Sequence, residues 1–209
     1  MRRRRQLLWT LAGVAALGLA RLPLRGETPP GSGPADTAGD TTDPARPPED
    51  VCIVAPPQPY PASAGLAARA LPEQARCPVC GMFPARHPEW AAQVVFDNGD
   101  TQFLDSPLSL FLYLGRVARY TPGRSAAQIA AIHVRDLLSG EWLALEQAVF
   151  VQGSSARGPM RSGNLPAFAS AAAAQRFIAQ RGGEPRSAAQ LRRALPPELL
   201  RQAPHRHQG

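Results

Sequence analysis

The chain begins with a mostly apolar stretch, Leu7 to Ala20, behind four consecutive arginines, Arg2 to Arg5. A basic head, a short apolar run and small residues at Gly18-Leu19-Ala20 predict an export signal over residues 1–20, with an uncleaved N-terminal anchor as the alternative. The run is short and broken by glycine, which argues against a membrane span. Arg4-Arg5-Gln6-Leu7-Leu8 also fits a twin-arginine signal. Beyond it apolar periodicity disappears. Residues 21–62 are rich in Pro, Gly, Thr and Asp, and such a segment cannot bury enough surface to offset its ordering entropy. Residues 21–73 are therefore expected to form a disordered spacer, with a short Ala-rich helical turn over 63–73 and order beginning near Gln74.

Regular patterning then sets in. Ala91 to Phe96 reads as a strand, Asp97-Asn98-Gly99-Asp100 as a hairpin turn and Thr101 to Leu104 as the return strand. Ser106-Pro107 supplies an N-cap and a first helical residue, and Leu108, Phe111, Leu112, Leu114 and Val117 give a wide apolar helix face ending near Arg119. A second cycle follows. Ile132 to Arg135, Trp142 to Leu145 and Val149 to Val151 look like strands, and Leu165 to Phe168 is extended. Ser170 caps a helix carrying Ala174, Phe177 and Ile178, which Gly182-Gly183 stops.

The halves rhyme: a loop ending in Gly81-Met82 or in Gly158-Pro159-Met160, an extended segment with a central Phe103 or Phe168, then a helix capped by Ser106 or Ser170. The predicted fold is α+β, two small similar units of antiparallel strands plus helix, over about 74–121 and 130–183 of a domain spanning 74–183. Residues 184–209 read as a basic tail. It holds one short helix, capped by Ser187-x-x-Gln190 and carrying Leu191 and Leu195, and ends in a disordered His205-x-His207.

The net charge of +7 suggests a nucleic-acid partner until it is mapped. Residues 1–20 hold four arginines and no acids, and residues 181–209 hold six arginines against Glu184 and Glu198. Taking both from +7 leaves −1 for residues 21–180. No basic face for phosphates is implied.

Three cysteines are a poor disulfide framework for an exported protein. Cys52 lies in the spacer. The other two fall in Cys77-Pro78-Val79-Cys80-Gly81-Met82, where two thiols and a thioether share one turn. The Cys-x-x-Cys spacing lets both sulfurs face one ion, and Gly81 permits a bend that brings Met82 to the same side. Soft sulfur donors select Cu(I) or borderline Zn(II); a thioether favours copper, and a structural zinc site needs about four protein ligands. His87 and Met160 are the further candidate ligands. The same spacing serves thiol–disulfide oxidoreductases, and a plain disulfide or a zinc-binding interaction module remains open. Neither Gly-x-Ser-x-Gly nor His-Glu-x-x-His occurs, and Gly81 rules out the covalent haem motif. A metal-binding protein rather than an enzyme is expected.

Arg76-Cys77-Pro78-Val79-Cys80-Gly81-Met82-Phe83-Pro84-Ala85, followed by His87-Pro88-x-Trp90-Ala91-Ala92-Gln93-Val94, Asp97-Asn98-Gly99 and Phe103-Leu104-Asp105-Ser106-Pro107, resembles the NosL family of nitrous oxide reductase accessory proteins. The later Gly153-Ser154, Pro159-Met160, Leu165 to Ser170, and Ala174-x-x-Phe177 with Gly182-Gly183 extend the resemblance over about residues 74–183. It implies an α+β fold of two similar units and a periplasmic Cu(I) metallochaperone. Such a protein delivers copper to nitrous oxide reductase together with a membrane ABC-type complex. Carried over by position, the sulfur ligands are Cys80 and Met82, with Cys77 and Met160 as additions. Many members carry a lipidated cysteine at the end of the signal; this chain has Leu19-Ala20-Arg21 there.

Overall fold

A computed structural model describes residues 55–161 and 165–201. The export signal, Cys52 and the histidines 205 and 207 lie outside the described residues.

Strand β1 (Ala92–Phe96) pairs antiparallel with β2 (Thr101–Leu104) through a tight hairpin. The hairpin is a three-residue loop rather than a two-residue turn. Phe96 N–H donates to the Asp100 carbonyl at 2.9 Å, Gly99 N–H donates to the Phe96 carbonyl at 2.9 Å, and Gly99 alone in the loop has positive φ, +93°. The chain then enters α1 (Pro107–Leu114), where the Ser106 hydroxyl accepts from Ser109 N–H. The expected single helix breaks at Gly115-Arg116 and resumes as α2 (Val117–Tyr120).

Strands β3 (Ile129–Arg135) and β4 (Trp142–Ala144) complete a four-stranded antiparallel sheet in the order β2-β1-β3-β4. A second sheet, β6-β5-β7, joins β5 (Val149–Gln152), β6 (Ala167–Phe168) and β7 (Glu184–Ser187). Against it packs α3 (Ala171–Arg181), with the Ser170 hydroxyl accepting from Ala173 N–H. Two short helices, α4 (Ala188–Arg193) and α5 (Pro197–Arg201), close the described chain. The fold is α+β, with two antiparallel sheets that fit two similar units. None of the described helices is long and apolar enough to cross a membrane.

Alternation along β5 explains how the sheets share the interior. Phe150 points into the main core and meets Phe111 of α1 edge-on, with centroids 5.3 Å apart. Its neighbour Val151 faces the other way, into a smaller cluster with Phe168, Ala173 and Ala174 beneath α3. The main core gathers Ala92, Val94 and Phe96 of β1 with Leu104, Leu108, Leu110, Val134 and, from α4, Ala188 and Leu191.

Three further expectations are corrected. Residues 55–73 are not a spacer. Gln58 pairs with Thr101 in both directions at 2.8 Å, and Arg69 is buried against Gln93, so this segment covers the face of β1 that would otherwise meet water. That cover is why every residue of β1 is buried. The unit boundary falls later than residues 121–130, because β3 and β4 pair into the first sheet. Residues 184–201 are not a tail. β7 pairs with β5, and α4 carries the expected Ser187–Gln190 capping box and buries Leu191.

Candidate metal centre

Residues 77–82 form a closed turn that no helix or strand dictates. Gly81 N–H donates to the Cys77 carbonyl at 2.8 Å, and Cys77 N–H donates to the Met82 carbonyl at 2.9 Å. Gly81 sits at φ +76°, a conformation glycine adopts without the Cβ clash other residues meet. Pro78 and Val79, within the turn, are buried. Cys77 is fully buried and Cys80 half-buried, and both join the main core; both are free thiols.

A second element completes the site. Strand β2 ends at Leu104 and α1 is capped by Ser106, so Asp105 is fixed at the junction between a strand and a helix. It is only 1 % exposed. One ligand atom each from Cys77, Cys80 and Asp105 lie within 4.8 Å of one another. Among the described residues, neither carboxylate oxygen of Asp105 has a hydrogen-bond partner. A buried carboxyl group without partners is costly, and native proteins rarely leave one so.

The site's electrostatics point the same way. The Cys80 thiol is pushed well above its ordinary value, first by its hydrogen bond with Cys77, then by burial, then by the charges of Cys77 and Asp105. The Met82 backbone offsets this only in part. A cation among these groups would reverse the charge effects and supply the partner Asp105 lacks. The arrangement can therefore accept a thiophilic metal ion in exchange for thiol protons.

Of the residues singled out in the sequence, Cys77 and Cys80 come together. Met82 is half-buried at the end of the same turn. Met160 is half-buried in another turn, closed by Arg161 N–H donating to the Gly158 carbonyl at 2.9 Å, in the segment between β5 and β6. His87 lies outside the cysteine–aspartate group. Its side chain is 46 % exposed, with Nδ1 3.9 Å from Glu89. Asp105 was missed as a donor. The available signal was an acid immediately after a wholly apolar strand end and before a Ser-Pro helix start.

The sequence profile of the NosL family matches residues 68–196. No protein of curated function matches. Among solved structures, the crystal structure of the copper chaperone NosL from Shewanella denitrificans matches with a TM-score of 0.50 and 23% identity, over 59% of this chain and 93% of that one. At that identity the likeness carries the fold. The family match spans more than half of the residues, including the cysteine turn, Asp105 and both sheets, and the chain belongs to the NosL family.

Proposed function

We propose that this protein is an exported Cu(I) metallochaperone that supplies copper for maturation of nitrous oxide reductase in the periplasm, working with a membrane ABC-type complex. The observation that carries the metal-binding part is the partnerless, buried Asp105 carboxylate beside two thiols. Family membership supports the copper part, as does the structural relative from Shewanella denitrificans, itself a copper chaperone.

The chemistry follows from the donors. Cu(I) is a soft ion that tolerates two or three ligands, and the thiolates of Cys77 and Cys80 with the Met82 thioether would meet that demand. Cys77, fully buried, serves as the anchor; Cys80, only partly buried, is the more accessible of the two sulfurs for an incoming ligand. Transfer is then ligand exchange at an accessible edge, with no redox step. A thiol–disulfide oxidoreductase needs an accessible thiol with a lowered pKa. Here one cysteine is buried and the other is shifted upward.

Anaerobic titration with Cu(I) tests the proposal. One ion per chain should bind, and Cys80→Ser should weaken binding by at least about tenfold, as expected for loss of a ligand. Failure to bind, or an unaffected Cys80→Ser variant, overturns it. The Asp105 oxygen favours one competing reading, a resident zinc. That reading predicts zinc on purification and unfolding on chelation.

A further inference from the structure

The copper-site turn is framed by an unusual pair of cations. Arg76 directly precedes Cys77, and Phe83 directly follows Met82. The Arg76 guanidinium lies 4.2 Å from the Phe83 ring centroid, and that of Arg86 lies 4.7 Å from the same centroid. Arg76 Nη1 also donates to the Gly81 carbonyl at 3.3 Å, tying this platform to the turn. Both arginines are exposed, and neither has a carboxylate partner among the described residues. Elsewhere Arg124 pairs with Asp100, Arg186 with Glu184 and Arg192 with Glu146.

Two like charges held on one ring repel each other, and folding alone gives no reason to gather them. The ring holds both guanidinium groups in place, so less freedom is lost when they are used. Among the described residues most of their N–H donors have no partner, in a planar fork that matches a carboxylate. Through Gly81 the platform is tied to the residue that follows Cys80, the sulfur an acceptor must come within bonding distance of to take the metal.

We propose that Arg76, Phe83 and Arg86 form a docking platform for a carboxylate-rich face on the protein that exchanges copper with this one. This rests on the copper-chaperone reading above. The platform steers encounter and orients the partner, and takes no part in holding the ion.

The test compares the full-length, copper-loaded protein with an Arg76→Gln/Arg86→Gln variant. Copper-depleted nitrous oxide reductase is the acceptor, and dithiothreitol serves as an uncharged small one. The platform predicts that transfer to the reductase slows about tenfold and loses most of its salt dependence. Copper stoichiometry and extraction by dithiothreitol should be unchanged, and Arg76→Lys/Arg86→Lys should restore part of the rate. Equal, equally salt-dependent transfer by wild type and variant overturns the platform and leaves the copper reading standing. A wild type that loads no copper, or loads it without passing it to the reductase, overturns the reading and the platform with it. If the glutamines instead abolish binding to phosphatidylglycerol vesicles and leave transfer intact, the platform is a membrane contact and the proposal fails.

Discussion

Asp105 and Cys80 place a carboxylate oxygen and a sulfur within 4.8 Å of each other, one at the start of α1 and the other in a turn 25 positions earlier. The carboxylate has no hydrogen-bond partner among the described residues and helps to hold the neighbouring thiol protonated. Without metal, this proximity disfavours the fold. With metal, it becomes an attraction.

Asp105→Asn should separate these effects. It removes the charge while keeping the shape. The metal-free protein should melt at a higher temperature, because an uncompensated buried charge is gone. Binding of Cd(II), which gains from an anionic oxygen donor, should weaken about ten- to a hundredfold. Cu(I), held mainly by sulfur, should change by less than about tenfold. Equal losses for both ions would make Asp105 a structural residue only.

Met82→Leu discriminates copper from thiol chemistry. The side chain is half-buried and the exchange nearly conserves volume, so stability should shift by less than about 1.5 kcal/mol. Cu(I) affinity should fall about tenfold with loss of the thioether, while thiol reactivity with an alkylating reagent stays the same. Unchanged copper affinity would remove Met82 from the donor set.

Much of this architecture could be read from local pattern. β1, β2 and the serine caps of α1 and α3 follow from alternation and from Ser preceding an apolar helix face. The cysteine turn was visible because Cys-x-x-Cys, Gly81 and Met82 are adjacent in sequence. Features that depend on distant partners were not legible. Residues 55–69 bind the sheet through backbone groups of Gln58 and Arg69, which leave no hydrophobic period. β7, with Glu184, Pro185 and Arg186, has no strand composition and exists because β5 offers it an edge. Asp105 is 25 positions from Cys80, and only the fold sets it beside the sulfurs.

Alkaline stability should report on Tyr113. Its phenol is buried in the core and shifted from 10.0 to about 12, chiefly by burial, against smaller opposing effects of its hydrogen bond with Thr121 and the charge of Arg124. The folded state thus keeps a proton that the unfolded chain releases near pH 10. The stability this group contributes is intact below that pH and is lost as pH rises toward about 12. Chemical denaturation of metal-free protein across this range should show a falling midpoint. Tyr113→Phe should flatten that fall while costing about 1 kcal/mol at neutral pH for the lost hydrogen bond. A fall of equal steepness in the variant would assign the alkaline limb to other groups.

Gly99 is where the N-terminal segment and the first hairpin constrain each other. Its φ of +93° is rare for residues with a side chain, and a Cβ there would lie 2.6 Å from the Tyr60 carbonyl oxygen and 2.9 Å from that of Pro61. Both obstacles are backbone, so no side-chain rotation relieves them. Gly99→Ala should therefore combine turn strain with displacement of residues 58–61, and lower stability by about 2 kcal/mol or more in urea unfolding. The Gln58–Thr101 pairing should open with it, exposing the chain near Tyr60 to protease before the core unfolds. Copper binding by the surviving folded fraction should be unchanged, because the cysteine turn and Asp105 make no contact with this loop through the hydrogen bonds that define either. A loss below about 0.5 kcal/mol, the range of ordinary surface substitutions, would show that residues 55–61 are not held by the hairpin.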